Sequence, residues 1–260
     1  MNRSKFLAPH PDKVLDRDRL VSKLASWDDK KLVIIHAQAG QGKSTLAAAY
    51  AAAQATSTVW YAMDAGDGDA AVFLACLGDA LRTSHHAQFP KIPPVPRNRS
   101  GLHGQEPAIA RWIGEVFGNL TRPILLVFDD YHLAASSPAL RAIFKLLVES
   151  TPPLVRILLA SRTRPDLDIA CLRARRGAAE LMGSDLRFSD KEVQELFGAV
   201  FGMPVSPAEA TAINRTVEGW PAGLVLLHGY FSSSANCDRK AQLSASARSD
   251  LHDHVFGYLA

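Results

Sequence analysis

Cysteine is scarce in this 260-residue chain: Cys76, Cys171 and Cys237 are odd in number, far apart and without the paired spacing of a zinc site. Neither a disulfide framework nor a cysteine-based metal centre is expected, and such usage suits a reducing cytoplasm. Long apolar runs are missing too. None approaches the roughly eighteen residues needed to cross a bilayer, and the opening "MNRSKFLAPHPDKVLDRDRL" has no apolar core of secretory-signal length. Charge of one sign is also lacking, since 29 Lys and Arg against 26 Asp and Glu leave a formal net charge of +3. That is too little to argue for nucleic acid by bulk electrostatics. Arg162, Arg164, Arg173, Arg175 and Arg176 do gather in one segment, as a solvated face would.

What is present is a 47% hydrophobic fraction, enough to bury one large domain or one with a small appendage. Within it, "IIHAQAGQGKSTLAAAYAA" passes from a β-branched stretch, through a Gly-rich turn, into an alanine-rich helix. Strand, Gly-x-Gly-Lys-Ser turn and helix make a phosphate cradle. The backbone N–H groups of Ala39, Gly40, Gln41 and Gly42 wrap the anion, the helix start at Ser44 and Thr45 favours negative charge, and Lys43 neutralises the outer phosphates. Ala37 stands where the consensus begins with glycine. Alanine fits there if φ is negative, whereas Gly42 must let its backbone approach the phosphate.

The remaining pattern alternates. A helix is expected over Leu15 to Trp27, strands at "KLVIIH" and Ser57 to Met63, and a helix over Asp69 to Ser84. A Pro-rich connection runs from Phe89 to Pro107, followed by a helix to about Gly118. "RPILLVFDD" reads as a strand buried on both faces, then come a helix over Pro138 to Ser150 and the strand "VRILLASR". Strands alternating with helices give a parallel α/β sheet between helices, with ligands at the carboxyl ends of the strands. The Gly-rich turn, Asp129 with Asp130, and Ser161 with Arg162 all fall at such ends. After about Asp185 only helices are expected, the first opened by Ser189 with Glu192 as a capping box. The implied organisation is a nucleotide-binding domain over 1–185, a helical lid over 186–234, and a linker with the start of a truncated further domain over 235–260.

Asp129 is placed to hold Mg²⁺ together with Ser44, and Asp130 to orient or deprotonate an attacking water. Arg162 is placed for the γ-phosphate. A plain strand-end turn is the competing reading of the aspartates. At the level of function, a kinase or motor ATPase and a non-hydrolysing module that holds ADP remain alternatives. No Asn-Lys-x-Asp signature for guanine occurs, which favours adenine.

In order along the chain, "VLDRDRL", "AQAGQGKST", "VWYAMD", "LLVFDDYHL", "ILLASRTRPDL" and "VEGWPAGLVLL" resemble the N-terminal ATPase module of the MalT-like, LuxR-type transcriptional activators. These belong to the signal-transducing ATPases with numerous domains (STAND), relatives of the NB-ARC switches. The resemblance implies an ASCE-type P-loop NTPase with a helical lid, ATP or ADP with Mg²⁺ as cofactors, and a slow regulatory ATPase whose resting form holds ADP. It implies Arg17 near the adenine, although Asp16 and Asp18 replace the flanking glycine and glutamate of that motif. It also implies Pro221 of a Gly-x-Pro element near the base, Lys43 and Arg162 at the outer phosphates, and Asp130 as the catalytic carboxylate. Self-association in the ATP state is implied as well, with DNA contacted only through a downstream helix-turn-helix and no membrane involved.

Overall fold

A computed structural model describes residues 3–10, 14–54, 56–96, 106–167 and 170–233. The expected linker and further domain over 235–260, Cys237 included, lie outside the described residues. By its internal contacts the chain separates into two compact units. One contains Met1–His10, Arg19–Ala37 and Lys43–Met182; the other contains Pro11–Asp18, Gln38–Gly42 and Gly183–Ala260.

The first unit is built on five strands: β1 (Leu32–His36), β2 (Ser57–Ala62), β3 (Ile124–Asp129), β4 (Val155–Ser161) and β5 (Ala178–Met182). They pair in the order β2-β3-β4-β1-β5, every pair parallel. The unbroken apolar runs follow from this arrangement. All six residues of β3 and the first four of β1 are buried, as strands covered on both faces must be. β4 is inserted between β1 and β3, so it lies next to the strand that precedes the glycine turn. Register aligns His36 with Ser161, so the polar ends of β1 and β4 lie side by side.

Helices α1 (Asp18–Ala25), α2 (Lys43–Ala53), α3 (Ala70–Ser84), α4 (Glu106–Phe117), α5 (Pro138–Ser150) and α6 (Ala170–Ala174) interleave with the strands. Their starts are written in the sequence. Asp69 accepts from the Ala71 and Val72 N–H groups ahead of α3, and Ser137 accepts from Leu140 N–H with Pro138 as the first residue of α5. Aromatic rings fill the space between β3 and α5, where Phe128 meets Phe144 edge-on at 4.8 Å between ring centroids and Tyr131 meets Phe144 at 5.0 Å. Asp64, at the end of β2, caps the 3₁₀ turn Ala65–Gly68 and pairs with Lys5 at 2.8 Å.

The second unit contains only helices among its described residues: α7 (Gly183–Leu186), α8 (Asp190–Glu195), α9 (Pro207–Val217) and α10 (Pro221–Ser233). The Ser189 and Glu192 box opens α8, and Ser206 with Glu209 does the same for α9. A π-helical turn, Leu196–Val200, continues α8. Val193, Phe197, Ile213, Val217, Trp220, Leu224 and Leu227 form its core.

Two expectations need correction. The first helix begins at Asp18, three residues later than its apolar spacing suggests, and Leu15 packs instead against the core of the helical unit. The sheet also has a fifth strand, β5, that apolar periodicity did not signal. It is an edge strand with three half-buried positions, and it carries Glu180 in the middle.

Candidate functional site

The stretch between β1 and α2 is built by two glycines with positive φ, Gly40 at 69° and Gly42 at 77°. Both values lie in the left-handed region that a side chain disfavours. Ala37 is absent from that region, so the lost first glycine costs no strain, and its N–H donates to the Ser161 carbonyl at 3.1 Å. A Cβ added to Gly42 would meet only Pro221 Cγ, at 3.9 Å. Open space beside a left-handed glycine is what close approach of a phosphate requires.

In the sheet unit, α2 starts at Lys43, whose side chain is buried with 7% exposure. Burial pulls its pKa down, while the nearby Asp130 and Asp129 carboxylates push it up and Arg162 pushes it down. Asp129 closes β3 with 5% exposure, and burial raises its carboxyl. The Ser44 hydroxyl and the Asp130 N–H, the latter at 2.9 Å, donate to Asp129 and partly offset that rise. Lys43, Ser44, Asp129, Asp130 and Arg162 are therefore brought together at one edge of the sheet, with Thr45 next along α2.

Asp130 differs from its neighbour in backbone as well as position. Its φ of 54° is left-handed, and its side chain is 43% exposed. A strand continued through Asp130 would send the two carboxylates to opposite faces. The chain turns there instead, so a buried carboxylate and a half-open one stand side by side. Left-handed aspartate is tolerated but uncommon, and such positions concentrate at functional sites.

His132 was not singled out by sequence reasoning, because a histidine after Asp-Asp-Tyr carries no spacing signal. Its Nδ1 lies 3.9 Å from Asp130 Oδ1, and neither ring nitrogen has a hydrogen-bond partner among the described residues. Burial lowers its pKa, with Arg162 and Lys43 adding to the effect and Asp130 opposing it. The unfolded chain therefore takes up this proton first as pH falls through about 6.5. Folded-state stability conferred by the neutral ring is lost below that point. His132→Gln is expected to lose less stability than the parent between pH 7 and pH 5, read as the shift of the urea midpoint. Equal shifts in both proteins would show that the ring titrates as freely as in the unfolded chain.

Ser161 is buried at the end of β4, with its hydroxyl unpartnered among the described residues. Beyond it the arginine cluster is divided. Arg162 bears on Lys43 and His132, whereas Arg164 and Arg173 both pair with Glu180 of β5.

In the helical unit, Gln38–Gly42 meet the start of α10. Trp220 Nε1 donates to the Ala39 carbonyl at 3.2 Å, and the Ala222 N–H donates to the Gly40 carbonyl at 3.0 Å. A cavity of about 410 Å³ is lined by Gln38, Ala39, Gln41, Arg187, Val217, Glu218 and Trp220. Arg17 is fully engaged elsewhere in this unit. It donates to the Leu186 carbonyl at 2.6 Å, the Arg187 carbonyl at 2.8 Å and both Glu192 oxygens, and its guanidinium lies 4.1 Å from the Phe188 ring centre. These contacts tie the segment before α1 to α7 and α8, a fastening that spacing could not reveal.

The donors beside Lys43 fit a nucleotide with Mg²⁺. Ser44 and Asp129 present hard oxygens to a small cation, and no group of three or more His, Cys, Asp or Glu residues suited to a metal occurs among the described residues. One hydroxyl and one carboxylate would suit a small divalent cation such as Mg²⁺ that takes its other ligands from phosphate and water. No described helix is long and apolar enough to cross a membrane.

No protein-family profile matches the chain. Among characterised proteins, it is 30% identical over 247 residues to the HTH-type transcriptional regulator MalT of Yersinia enterocolitica, covering 94% of this chain and 26% of that protein. It is 29% identical over 216 residues to MalT of Cronobacter sakazakii, covering 81% and 23%. The chain thus spans about a quarter of the length of these relatives. Among solved structures it resembles a signal transduction ATPase with numerous domains carrying a tetratricopeptide repeat sensor, from Pyrococcus horikoshii. The TM-score is 0.57 at 18% identity, over 97% of this chain and 34% of that one. It also resembles a Walker-type ATPase of Pyrococcus abyssi, with a TM-score of 0.55 at 14% identity, over 95% and 73%.

Proposed function

We propose that this chain, a P-loop NTPase fold homologous to part of the MalT regulators, is the Mg-ATP-binding and slowly hydrolysing switch module of such a regulator. The observation that carries the reading is the convergence of Lys43, Ser44, Asp129, Asp130 and Arg162 at one edge of a parallel sheet, with the glycine turn Gly40–Gly42 immediately before Lys43 in sequence. The homology to MalT supports the regulatory context.

Each residue then has a distinct task. Lys43 neutralises the outer phosphates from a largely dry position, where one charge counts for more than in water. Ser44 and Asp129 would hold Mg²⁺, which would supply positive charge at the outer phosphates. Asp130, half-open and beside that cation, orients a water molecule and takes its proton. His132, half-buried and 3.9 Å from Asp130, is held towards its neutral form by burial and so adds no positive charge of its own beside that carboxylate. Arg162 distinguishes triphosphate from diphosphate, because a charge aimed at the γ-phosphate has nothing to bind once that group is gone. An ADP-bound resting state, an ATP-bound active state with self-association, and DNA contact through another part of the full protein belong to this proposal.

Titration calorimetry with ATP and ADP, with and without Mg²⁺, tests it alongside phosphate release. The expected result is one adenine nucleotide per chain, tighter with Mg²⁺, and turnover below about one per second. Phosphate transfer to an acceptor, or much faster turnover, would identify a kinase or motor. Binding without any hydrolysis would identify a module that only holds nucleotide.

A further inference from the structure

The loop Gln38–Gly42 belongs by its contacts to the helical unit, and its grip there is specific. Two successive carbonyls, those of Ala39 and Gly40, accept hydrogen bonds from the turn that begins α10: one from the Trp220 indole at 3.2 Å, one from the Ala222 backbone at 3.0 Å. The fit leaves no room. A Cβ on Gly40 would lie 2.6 Å from Ala222 Cβ and 3.0 Å from Trp220 Nε1, and the φ of 69° there already disfavours any side chain.

The indole is itself held firmly. Trp220 is 7% exposed within the core formed with Val217, Leu224 and Leu227, and its backbone N–H donates to the Val217 carbonyl at 2.9 Å. The turn before it passes through two left-handed residues, Glu218 at 49° and Gly219 at 72°, and the Gly219 carbonyl accepts from Phe188 N–H at 2.9 Å. Trp220 therefore reaches the loop from a fixed base.

A peptide plane has one orientation for both of its polar groups. Fixing the carbonyl of Ala39 fixes the N–H of Gly40 in the opposite direction, and fixing the carbonyl of Gly40 does the same for the N–H of Gln41. We infer that Trp220 is a positioning residue for phosphate binding: its indole N–H and the Ala222 backbone hold the loop carbonyls back, so that the Gly40 and Gln41 N–H groups face the phosphates of a bound nucleotide. The inference rests on the reading of the loop as a nucleotide site. It assigns to the tryptophan of Gly219-Trp220-Pro221 a task separate from any contact with the base.

The test replaces Trp220 by β-(3-benzothienyl)alanine, which keeps the shape of indole and removes only its N–H, with Trp220→Phe as a second variant. Release of N-methylanthraniloyl-ADP is followed by stopped flow. One hydrogen bond of ordinary strength predicts release roughly three- to tenfold faster in the benzothienyl protein, with association unchanged and ATP and ADP affected alike. Inorganic pyrophosphate should also change indole emission in the parent by an increment that is missing in Trp220→Phe. Parent-like release in the benzothienyl protein overturns the inference, as does faster release confined to ATP. A parent protein that binds no nucleotide overturns the functional reading and this inference with it, so the two failures are told apart.

Discussion

Lys43→Ala is expected to lower the affinity for Mg-ATP by at least about a hundredfold. The substitution removes charge-assisted hydrogen bonds to the outer phosphates, each worth about 1.5–3 kcal/mol, and two of them account for that factor. A second loss comes from the site itself. Asp129 and Asp130 both favour the charged ammonium of Lys43, and without it two neighbouring carboxylates face incoming phosphates with one positive charge fewer beside them. Alanine suits the first turn of α2, so the helix should persist, and an unchanged far-ultraviolet circular dichroism spectrum would show it. Calorimetric affinity within threefold of the parent would remove the phosphate site from this loop.

Asp130→Asn is expected to leave Mg-ATP affinity near that of the parent and to slow hydrolysis by about a hundredfold, the lower end for losing a positioned base. Asparagine is well chosen because it matches aspartate in shape and tolerates the left-handed backbone at φ 54°. Alanine would add backbone strain and confuse the reading. The variant should accumulate in its triphosphate form, which single-turnover measurements with radiolabelled ATP would detect as slow phosphate release at normal binding. Hydrolysis at the parent rate would leave Asp130 with the turn alone.

The strands and helices that frame the site were legible because burial on both faces and side-chain caps leave local marks. β1, β3 and β4 read as apolar runs, and Asp69, Ser137 and Ser189 announce the helices that follow them. β5 left no such mark. An edge strand needs only one well-buried residue, here Leu181, and its Glu180 answers to Arg164 and Arg173, which come from separate segments. The carboxylate pair was legible, with Asp129 read as the magnesium ligand and Asp130 as the water-directing group, but the turn that sets the two apart in space was not, since it depends on a backbone angle that aspartate permits without requiring. His132 and the Trp220 grip on Ala39 were invisible for a related reason. Each is a meeting whose meaning lies in space, and the second joins residues that the chain holds far apart.

The order β2-β3-β4-β1-β5 also sets a timetable for biosynthesis. β1 leaves the ribosome first among the strands, yet it pairs only with β4 and β5, the last two to be made. Meanwhile β2 and β3 can pair with each other as soon as β3 emerges, and their sheet waits for β4 to join it. The nascent Leu32–His36 segment, apolar in sequence, is thus without a partner strand of its own sheet until β4 emerges. A chain cut before Val155 leaves Leu32–Ile35 without either of its partner strands, whereas one that extends past Met182 contains all five strands of this sheet.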